Sequence, residues 1–165
     1  MKTVRRFSLI IFIMWSCIGC DQLSKHVARS ELSGKVRISL FFDTFRLELF
    51  ENNGAFLSLG STLAAEWRFW IFTVGVGAIL LGLFFYVLFT TVLSRYELLS
   101  FSLILGGGAS NLIDRCTRGG FVTDFLNTGV GPLRTGVFNV ADFAIMVGVC
   151  VLLILSIRRK EPTKQ

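Results

Sequence analysis

Two aspartates have the sequence surroundings expected of catalytic acids in a membrane protein. Asp124 lies within residues 121–125 (FVTDF) and Asp142 ends residues 138–142 (FNVAD), each at or near the edge of an apolar run. Acids at membrane depth are costly and so indicate a functional site. Two carboxyl groups held close together can share one proton and activate water, which predicts aspartic hydrolysis. Taken singly, Asp142 could instead cap a helix and Asp124 could be an ordinary loop acid.

The elements that must hold these acids are predicted to be membrane helices. The chain has 165 residues, of which 53% are hydrophobic and 17% charged, with a mean hydropathy of +0.66. A membrane span needs about 20 apolar residues. Four stretches are predicted to span, at about residues 7–24, 67–93, 98–113 and 137–157. The first is short enough that a signal-peptide core is a competing interpretation.

The placement of charge predicts the topology. Basic residues flank the spans at both chain ends and at Arg95, all on one side if there are four spans. The positive-inside rule makes that side cytoplasmic, so both termini are predicted to be cytoplasmic and both acids to face outward. The net charge of +6 is dispersed over the span ends rather than gathered on one patch, which argues against nucleic-acid binding.

The first outer connection is predicted to contain a small β element at about residues 35–60. Apolar and polar residues alternate over residues 36–40 and again over residues 45–49, a period typical of short strands with one apolar face. The predicted fold class is therefore a membrane all-α protein, a four-transmembrane-helix bundle with a small β-sheet element. We expect a single domain over residues 1–160 and a cytoplasmic tail at residues 161–165.

Other catalytic chemistries lack their residues. His26 is the single histidine, so a histidine-based zinc site and a Ser-His-Asp triad are both incomplete. The four cysteines lie in apolar segments or in isolation, where cysteine is typically a small hydrophobic residue. No metal and no cofactor is expected.

The N-terminus carries a competing pattern. Its basic residues, its apolar run and Cys20 are similar to a bacterial lipoprotein signal that ends in a lipidated cysteine. A lipid anchor adds little to a chain with three further spans. Cys17 is also an unusual residue three positions before a modified cysteine. Loss of the residues before Cys20 would support this alternative.

A glycine-rich segment precedes two polar residues that packing does not explain. In residues 106–110 (GGGAS), small side chains allow helices to approach closely in a bilayer. Asn111 and Asp114 share one helix face with each other, and a role in helix packing does not account for them.

Five motifs, in this order, resemble those of the lipoprotein signal peptidase family, also called signal peptidase II. They are Asp21-Gln22 with Lys25, residues 52–56 (NNGAF), the glycine-rich run with Asn111, Asp114 and Arg115, residues 121–124, and residues 138–142. Each motif alone is weak, but five in order are highly specific. Ser110 departs from the family pattern, since many members have glycine there, and this small-for-small change bears on local packing only.

The resemblance implies a four-span aspartic peptidase of the bacterial inner membrane, with its site at the periplasmic face and without a metal. Such enzymes remove the signal peptide from diacylglyceryl-modified prolipoproteins, cutting just before the lipidated cysteine. By matching motifs, Asp124 and Asp142 are the expected catalytic pair. The expected substrate-binding residues are Asn52, Gly54, Asn111, Arg115 and Asn139, supported by Asp21, Lys25 and Asp114. The expected partners are the prolipoprotein and membrane lipids, and the chain is expected to be a monomer.

A non-enzymatic membrane protein is the alternative, such as a transporter or assembly subunit whose acids line an ion path. That alternative predicts acids buried at mid-membrane. The expected position of Asp124 in a polar outer loop argues against it.

Overall fold

Four long helices and a small antiparallel sheet make up the described chain. The computed structural model describes residues 3–34, 37–55 and 58–160. The helices are α1 (Thr3–Leu32), α2 (Ala65–Phe89), α3 (Arg95–Thr117) and α4 (Val140–Lys160). The strands are β1 (Ile38–Leu40), β2 (Phe45–Asn52), β3 (Val122–Val130) and β4 (Leu133–Arg134), in the order β1-β2-β3-β4. The predicted fold class is confirmed.

Three of the helices are long and apolar enough to cross a membrane. These segments are Val4–Leu32, Ala65–Phe89 and Val140–Arg158, and only 11% of the apolar window of each is buried inside the bundle. Helix α3 is more polar and lies at the centre, where it packs against the other three helices. That α3 also spans the membrane remains a prediction. The tail at residues 161–165 lies outside the described residues.

The ends of the helices differ from the ends of the apolar runs that predicted them. Helix α1 continues to Leu32, eight residues past the predicted span, because Ala28 and Leu32 are buried against Phe125 of the sheet. Helix α4 begins at Val140 instead of near residue 137, because Asn139 caps its first turn. Apolar composition therefore located the helices, whereas packing against the sheet set the end of α1 and a polar cap set the start of α4.

Glycines allow α3 to approach its neighbours closely. A Cβ atom added to Gly106 would lie 2.7 Å from Cβ of Cys17 in α1. One added to Gly107 would lie 2.5 Å from the carbonyl oxygen of Ala141 in α4. Side chains larger than hydrogen at these positions would push the helices apart, as the small-residue pattern predicts.

The predicted hairpin in the first outer connection is confirmed, with Ile38 paired to Leu47 in antiparallel register. Residues 35–36 and 56–57 of the predicted β element lie outside the described residues. The sequence did not predict that β3, from the connection between α3 and α4, would pair with β2. Asp124 lies in this strand, so its expected position in a loop was wrong. Pairing with β2 satisfies backbone groups that a loop would leave to water.

A bulge shapes the part of the sheet that holds Asp124. Leu47 pairs with Leu126, yet Phe50 pairs with Asp124, so β2 has one residue more than β3 between these pairs. A bulge of this kind bends a strand and redirects the side chains that follow it. In β2, those side chains include Asn52.

Candidate active site

Both predicted catalytic acids line one cavity of about 370 Å³. The cavity lies among α2, α3, α4 and the sheet, and its polar lining is concentrated in a few side chains. These are Asn52, Asn111, Arg115, Asp124 and Asp142. The rest of the lining is mainly apolar, including Phe72 and Val76 of α2 and Ile145, Met146 and Val149 of α4. The cavity therefore combines a polar end with an extended apolar wall.

Asp124 is presented to the cavity by β3 and is almost completely buried, with 1% of its surface exposed. Its Oδ1 accepts a hydrogen bond from Nδ2 of Asn139 at 2.6 Å, and its Oδ2 accepts one from Nδ2 of Asn52 at 3.0 Å. Burial, followed by the nearby charge of Asp142, raises the pKa of Asp124 to about 7. This carboxyl group can therefore gain and lose a proton near neutral pH.

Asp142 lies in the first turn of α4, where it forms a reciprocal cap with Asn139. The backbone N–H of Asp142 donates to Oδ1 of Asn139 at 2.8 Å, and the backbone N–H of Asn139 donates to Oδ2 of Asp142 at 3.2 Å. Nδ2 of Asn111 also donates to Oδ1 of Asp142 at 2.8 Å. The helix-capping interpretation of Asp142 is thus correct, and it is compatible with a position in the cavity.

Asn139 joins the two acids. It donates to the side chain of Asp124 while its Oδ1 accepts the backbone N–H of Asp142. The two aspartates are therefore brought together from different elements, a strand and a helix. Asn139 itself is completely buried, so this link is shielded from water.

A buried ionic network of Lys25, Asp21 and Asp114 adjoins the site. Nζ of Lys25 lies 2.6 Å from Oδ2 of Asp21 and 3.0 Å from Oδ2 of Asp114, and it donates to Oδ1 of Asn111 at 2.9 Å. All three donors of the ammonium are used. The side chains of Lys25 and Asp21 are 0% exposed and that of Asp114 is 1% exposed.

The two carboxylates of this network tie neighbouring elements together. Oδ1 of Asp21 accepts the backbone N–H of Ala141 in α4 at 2.9 Å. Oδ2 of Asp114 accepts the backbone N–H of Thr123 in β3 at 3.1 Å. Each contact is made one residue before a catalytic candidate in the chain, so the network fixes the backbone that carries both acids.

Arg115 reaches across the cavity to the loop after β2. Its Nη2 donates to the carbonyl oxygen of Gly54 at 2.8 Å, and its guanidinium carbon lies 5.9 Å from the ring centre of Phe72. Its Nε is buried and has no hydrogen-bond partner among the described residues. A Cβ atom at Gly54 would lie 2.6 Å from the carbonyl oxygen of Leu59, so this position requires glycine.

Comparison with known proteins identifies the family. The sequence model for signal peptidase (SPase) II matches residues 13–158. The chain belongs to the signal peptidase II family. The family predicted from the five motifs is therefore confirmed. Membership of this family implies that the chain is a membrane peptidase.

Relatives from distant bacteria match over most of the chain. The chain is 34% identical over 160 residues to a lipoprotein signal peptidase of Francisella tularensis subsp. novicida (strain U112), covering 96% of this chain and 94% of the relative. It is 32% identical over 162 residues to a lipoprotein signal peptidase of Mycobacterium leprae (strain Br4923), covering 95% and 75%.

A solved structure described as a bacterial membrane enzyme has the same fold. The TM-score is 0.77 at 22% identity, and the match covers 96% of this chain and 94% of that one. A second structure with a similar description gives a TM-score of 0.75 at 23% identity, covering 90% and 92%. At these identities the similarity establishes the fold alone.

Three polar residues of this peptidase complete the site network but were not predicted to do so. Nε2 of Gln22 donates to Oδ1 of Asp114 at 2.9 Å and to Oγ of Ser110 at 3.0 Å. Ser110 in turn donates to Oδ2 of Asp21 at 2.8 Å. Thr123 contributes its backbone N–H. The spacing of Ser110 and Asp114, four residues apart on one helix, is the signal that could have identified the serine.

Proposed function

We propose that this chain is a lipoprotein signal peptidase that cuts diacylglyceryl-modified prolipoproteins just before the lipidated cysteine. Asp124 and Asp142 act as a pair that shares one proton and activates water. The observation that carries this proposal is that two acids supplied by different elements line one cavity and are linked by the buried Asn139. Family membership supports the substrate class.

In the proposed reaction, the ionised carboxyl group of the pair takes a proton from water as the water oxygen attacks the scissile carbonyl carbon. The protonated partner donates its proton to the carbonyl oxygen, which gives a neutral tetrahedral intermediate. The first carboxyl group then passes its proton to the departing amide nitrogen as the C–N bond breaks. The hydroxyl group formed from the carbonyl oxygen returns its proton to the carboxyl group that donated it. The pair therefore ends with one proton, as it began.

The pKa of Asp124 supports this chemistry. A carboxyl group with a pKa of about 7 can hold a proton at neutral pH, and two nearby acids cannot both ionise readily. The proton is shared by the pair, so whichever of the two acids is ionised takes the proton from water. No metal or cofactor enters the proposed steps.

Substrate binding is assigned to the polar end and the apolar wall of the cavity. Arg115, whose Nε is unpaired, is placed to hydrogen-bond a peptide main chain, and Asn52 and Asn111 line the same polar end of the cavity. The apolar wall of α4, which includes Met146 and Val149, suits a signal helix or acyl chains that enter from lipid. A monomer in the inner membrane, with both termini cytoplasmic and this cavity at the periplasmic face, fits such a substrate.

The site geometry favours hydrolysis over an ion path. Asp142 lies in the first turn of its helix and Asp124 lies in the sheet. An ion path is expected to place acids near the middle of the spans. Here one acid lies in the first turn of a helix and the other in a strand outside the helices, positions that a scissile bond at the bilayer surface could reach.

The test uses purified variants and a diacylglyceryl-modified precursor in detergent, with and without a chelator. Asp124→Asn and Asp142→Asn are each expected to lower the cleavage rate at least about 100-fold, because each removes a proton-transfer group. Glu66→Gln, which alters an exposed acid in the first turn of α2, is the matched control and should cleave at the parental rate. Unchanged thermal unfolding would show that the variants are folded.

Three results would count against the proposal. Cleavage by either aspartate variant at near the parental rate would exclude the pair. Loss of activity in the chelator would indicate a metal. Failure of the folded parent to cut a lipidated precursor would exclude the substrate class.

A further inference from the structure

A second cavity lies at the end of the helical bundle opposite the candidate active site. It has a volume of about 540 Å³ and lies where α1 begins, α2 ends and α3 begins. Two basic residues line it, Arg6 of α1 and Arg95 of α3, together with the hydroxyl groups of Thr90, Thr91 and Ser94. None of these residues takes part in the proposed cleavage.

The guanidinium of Arg6 has donor capacity that the protein does not use. Its Nη2 donates to the carbonyl oxygen of Val87 at 2.7 Å, near the C-terminus of α2. Its Nε is buried and has no hydrogen-bond partner among the described residues. A buried donor without a partner is unfavourable, and the side chain that carries it belongs to a residue lining the cavity.

Glu97, the acid close to this region in sequence, takes part in the N-terminal cap of α3. Glu97 accepts the backbone N–H of Ser94 at 2.8 Å, and the backbone N–H of Glu97 donates to Oγ of Ser94. Glu97 does not line the cavity, whereas Arg6 and Arg95 do. The lining is therefore cationic and suited to an anion. Because the cap already uses N–H groups of α3, the attraction rests on the two arginines.

An apolar groove adjoins the cationic cavity. The groove has a volume of about 360 Å³ and is lined by Val4, Phe7, Leu88 and Phe89. Leu88 and Phe89 also line the cationic cavity, so the two spaces share a wall. Phe89 is 73% exposed at this position. A phosphate next to a hydrocarbon chain is the chemistry of a phospholipid, whereas a free anion would leave the groove uncovered.

We propose that this composite site binds one anionic phospholipid. Its phosphate lies between Arg6 and Arg95, and an acyl chain lies along the groove beside Phe7 and Phe89. Anionic headgroups are recognised by basic pockets between membrane helices in this way. The proposal goes beyond peptide cleavage and does not depend on it.

The test measures lipid binding to the delipidated chain by native mass spectrometry from detergent. Phosphatidylglycerol and phosphatidylcholine with the same acyl chains are compared, and glycerol 3-phosphate is added as a competitor without chains. Phosphatidylglycerol is expected to bind at least tenfold more tightly than phosphatidylcholine. Arg6→Gln and Arg95→Gln should each weaken its binding about fivefold.

Arg5→Gln is the matched control, because Arg5 is exposed and lines neither space. It should leave phosphatidylglycerol binding unchanged, and glycerol 3-phosphate should not displace the lipid. Equal binding of the two lipids would overturn the proposal, as would a loss in Arg5→Gln as large as that in Arg6→Gln. Full displacement by glycerol 3-phosphate would show a site for soluble anions and would also overturn it. If Arg6→Gln does not fold, Arg95→Gln decides the outcome.

Discussion

Removal of the buried cation Lys25 should destabilise the whole fold. Its ammonium contacts Asp21 and Asp114, and all three side chains are 0–1% exposed. Lys25→Met keeps most of the side-chain volume but leaves two buried carboxylates without a cation. Breaking a buried ion pair by removing one partner typically costs about 3–5 kcal/mol. For a chain of this length, that corresponds to a fall in Tm of about 6–20 °C.

The assay is thermal unfolding in detergent, followed by the fluorescence of tryptophan. A second substitution, Asp21→Asn, should restore part of the loss in the Lys25→Met background, because it removes one of the unpaired charges. In the parent structure the Ser110 hydroxyl donates a hydrogen bond to Asp21. In the variant this hydroxyl can rotate and accept a hydrogen bond from the amide of the new asparagine. The double variant should be at least about 1 kcal/mol more stable than the sum of the single effects predicts.

His26→Gln is the control for this series, since His26 is the exposed neighbour of Lys25 and its replacement should change stability by less than about 0.5 kcal/mol. A Lys25→Met variant as stable as the parent would refute the reasoning. Strict additivity in the double variant would refute it as well, because it would show that the charges do not interact.

Three further predictions concern the pair and its packing. The pKa of Asp124 is raised from 3.8 to about 7, so the folded protein binds this proton more tightly than the unfolded chain does. Below about pH 4 this proton makes its full contribution to the free energy of unfolding. The contribution is lost as the pH rises to about 7, which lowers the free energy of unfolding by about 4 kcal/mol. Asp124→Asn should lack this decrease over the same pH range. The cleavage rate should likewise fall above about pH 7 as the pair loses its last proton, and a flat profile to pH 9 would contradict this. Gly107→Ala should lower the cleavage rate at least tenfold by displacing Ala141 and the adjoining Asp142, whereas Gly82→Ala, where the added methyl meets no atom within 4 Å, should cleave normally.

The sequence predicted the helices and the first hairpin because their signals are local. Long apolar runs locate α2 and α4, and period-two alternation locates β1 and β2. The partner of β2 could not be predicted in this way, since β3 follows it by about seventy residues and its own sequence alternates weakly. Long-range strand pairing depends on the packing of helices that bring the two connections together. Helix ends were also missed, because polar contacts such as the Asn139 cap determine them.

The candidate site was predicted as a set of residues, but its geometry was not. Motif order predicted the two acids and the polar residues around them, and the structure places both acids with Asn52, Asn111 and Arg115 around one cavity. No sequence pattern predicted which asparagine would hydrogen-bond with which acid. The role of Ser110 was also missed, since its replacement of glycine suggested a change in packing, and in the structure its hydroxyl bonds with Asp21.

The amide groups of three asparagines are oriented by donors that cannot accept. Oδ1 of Asn111 faces the ammonium of Lys25, and Oδ1 of Asn52 faces the backbone N–H of Gly54. Oδ1 of Asn139 faces the backbone N–H of Asp142. Since each amide oxygen is committed to such a donor, each amide N–H group must point the other way.

These N–H groups point at the two acids. Asn52 and Asn139 donate to Asp124, and Asn111 donates to Asp142. Donors fixed in this orientation stabilise negative charge, whereas burial of Asp124 and the proximity of the acids oppose it. The balance suits a pair that keeps one negative charge and one proton. In the proposed mechanism, Lys25 therefore acts on the pair without contacting either acid, because its ammonium orients the Asn111 amide.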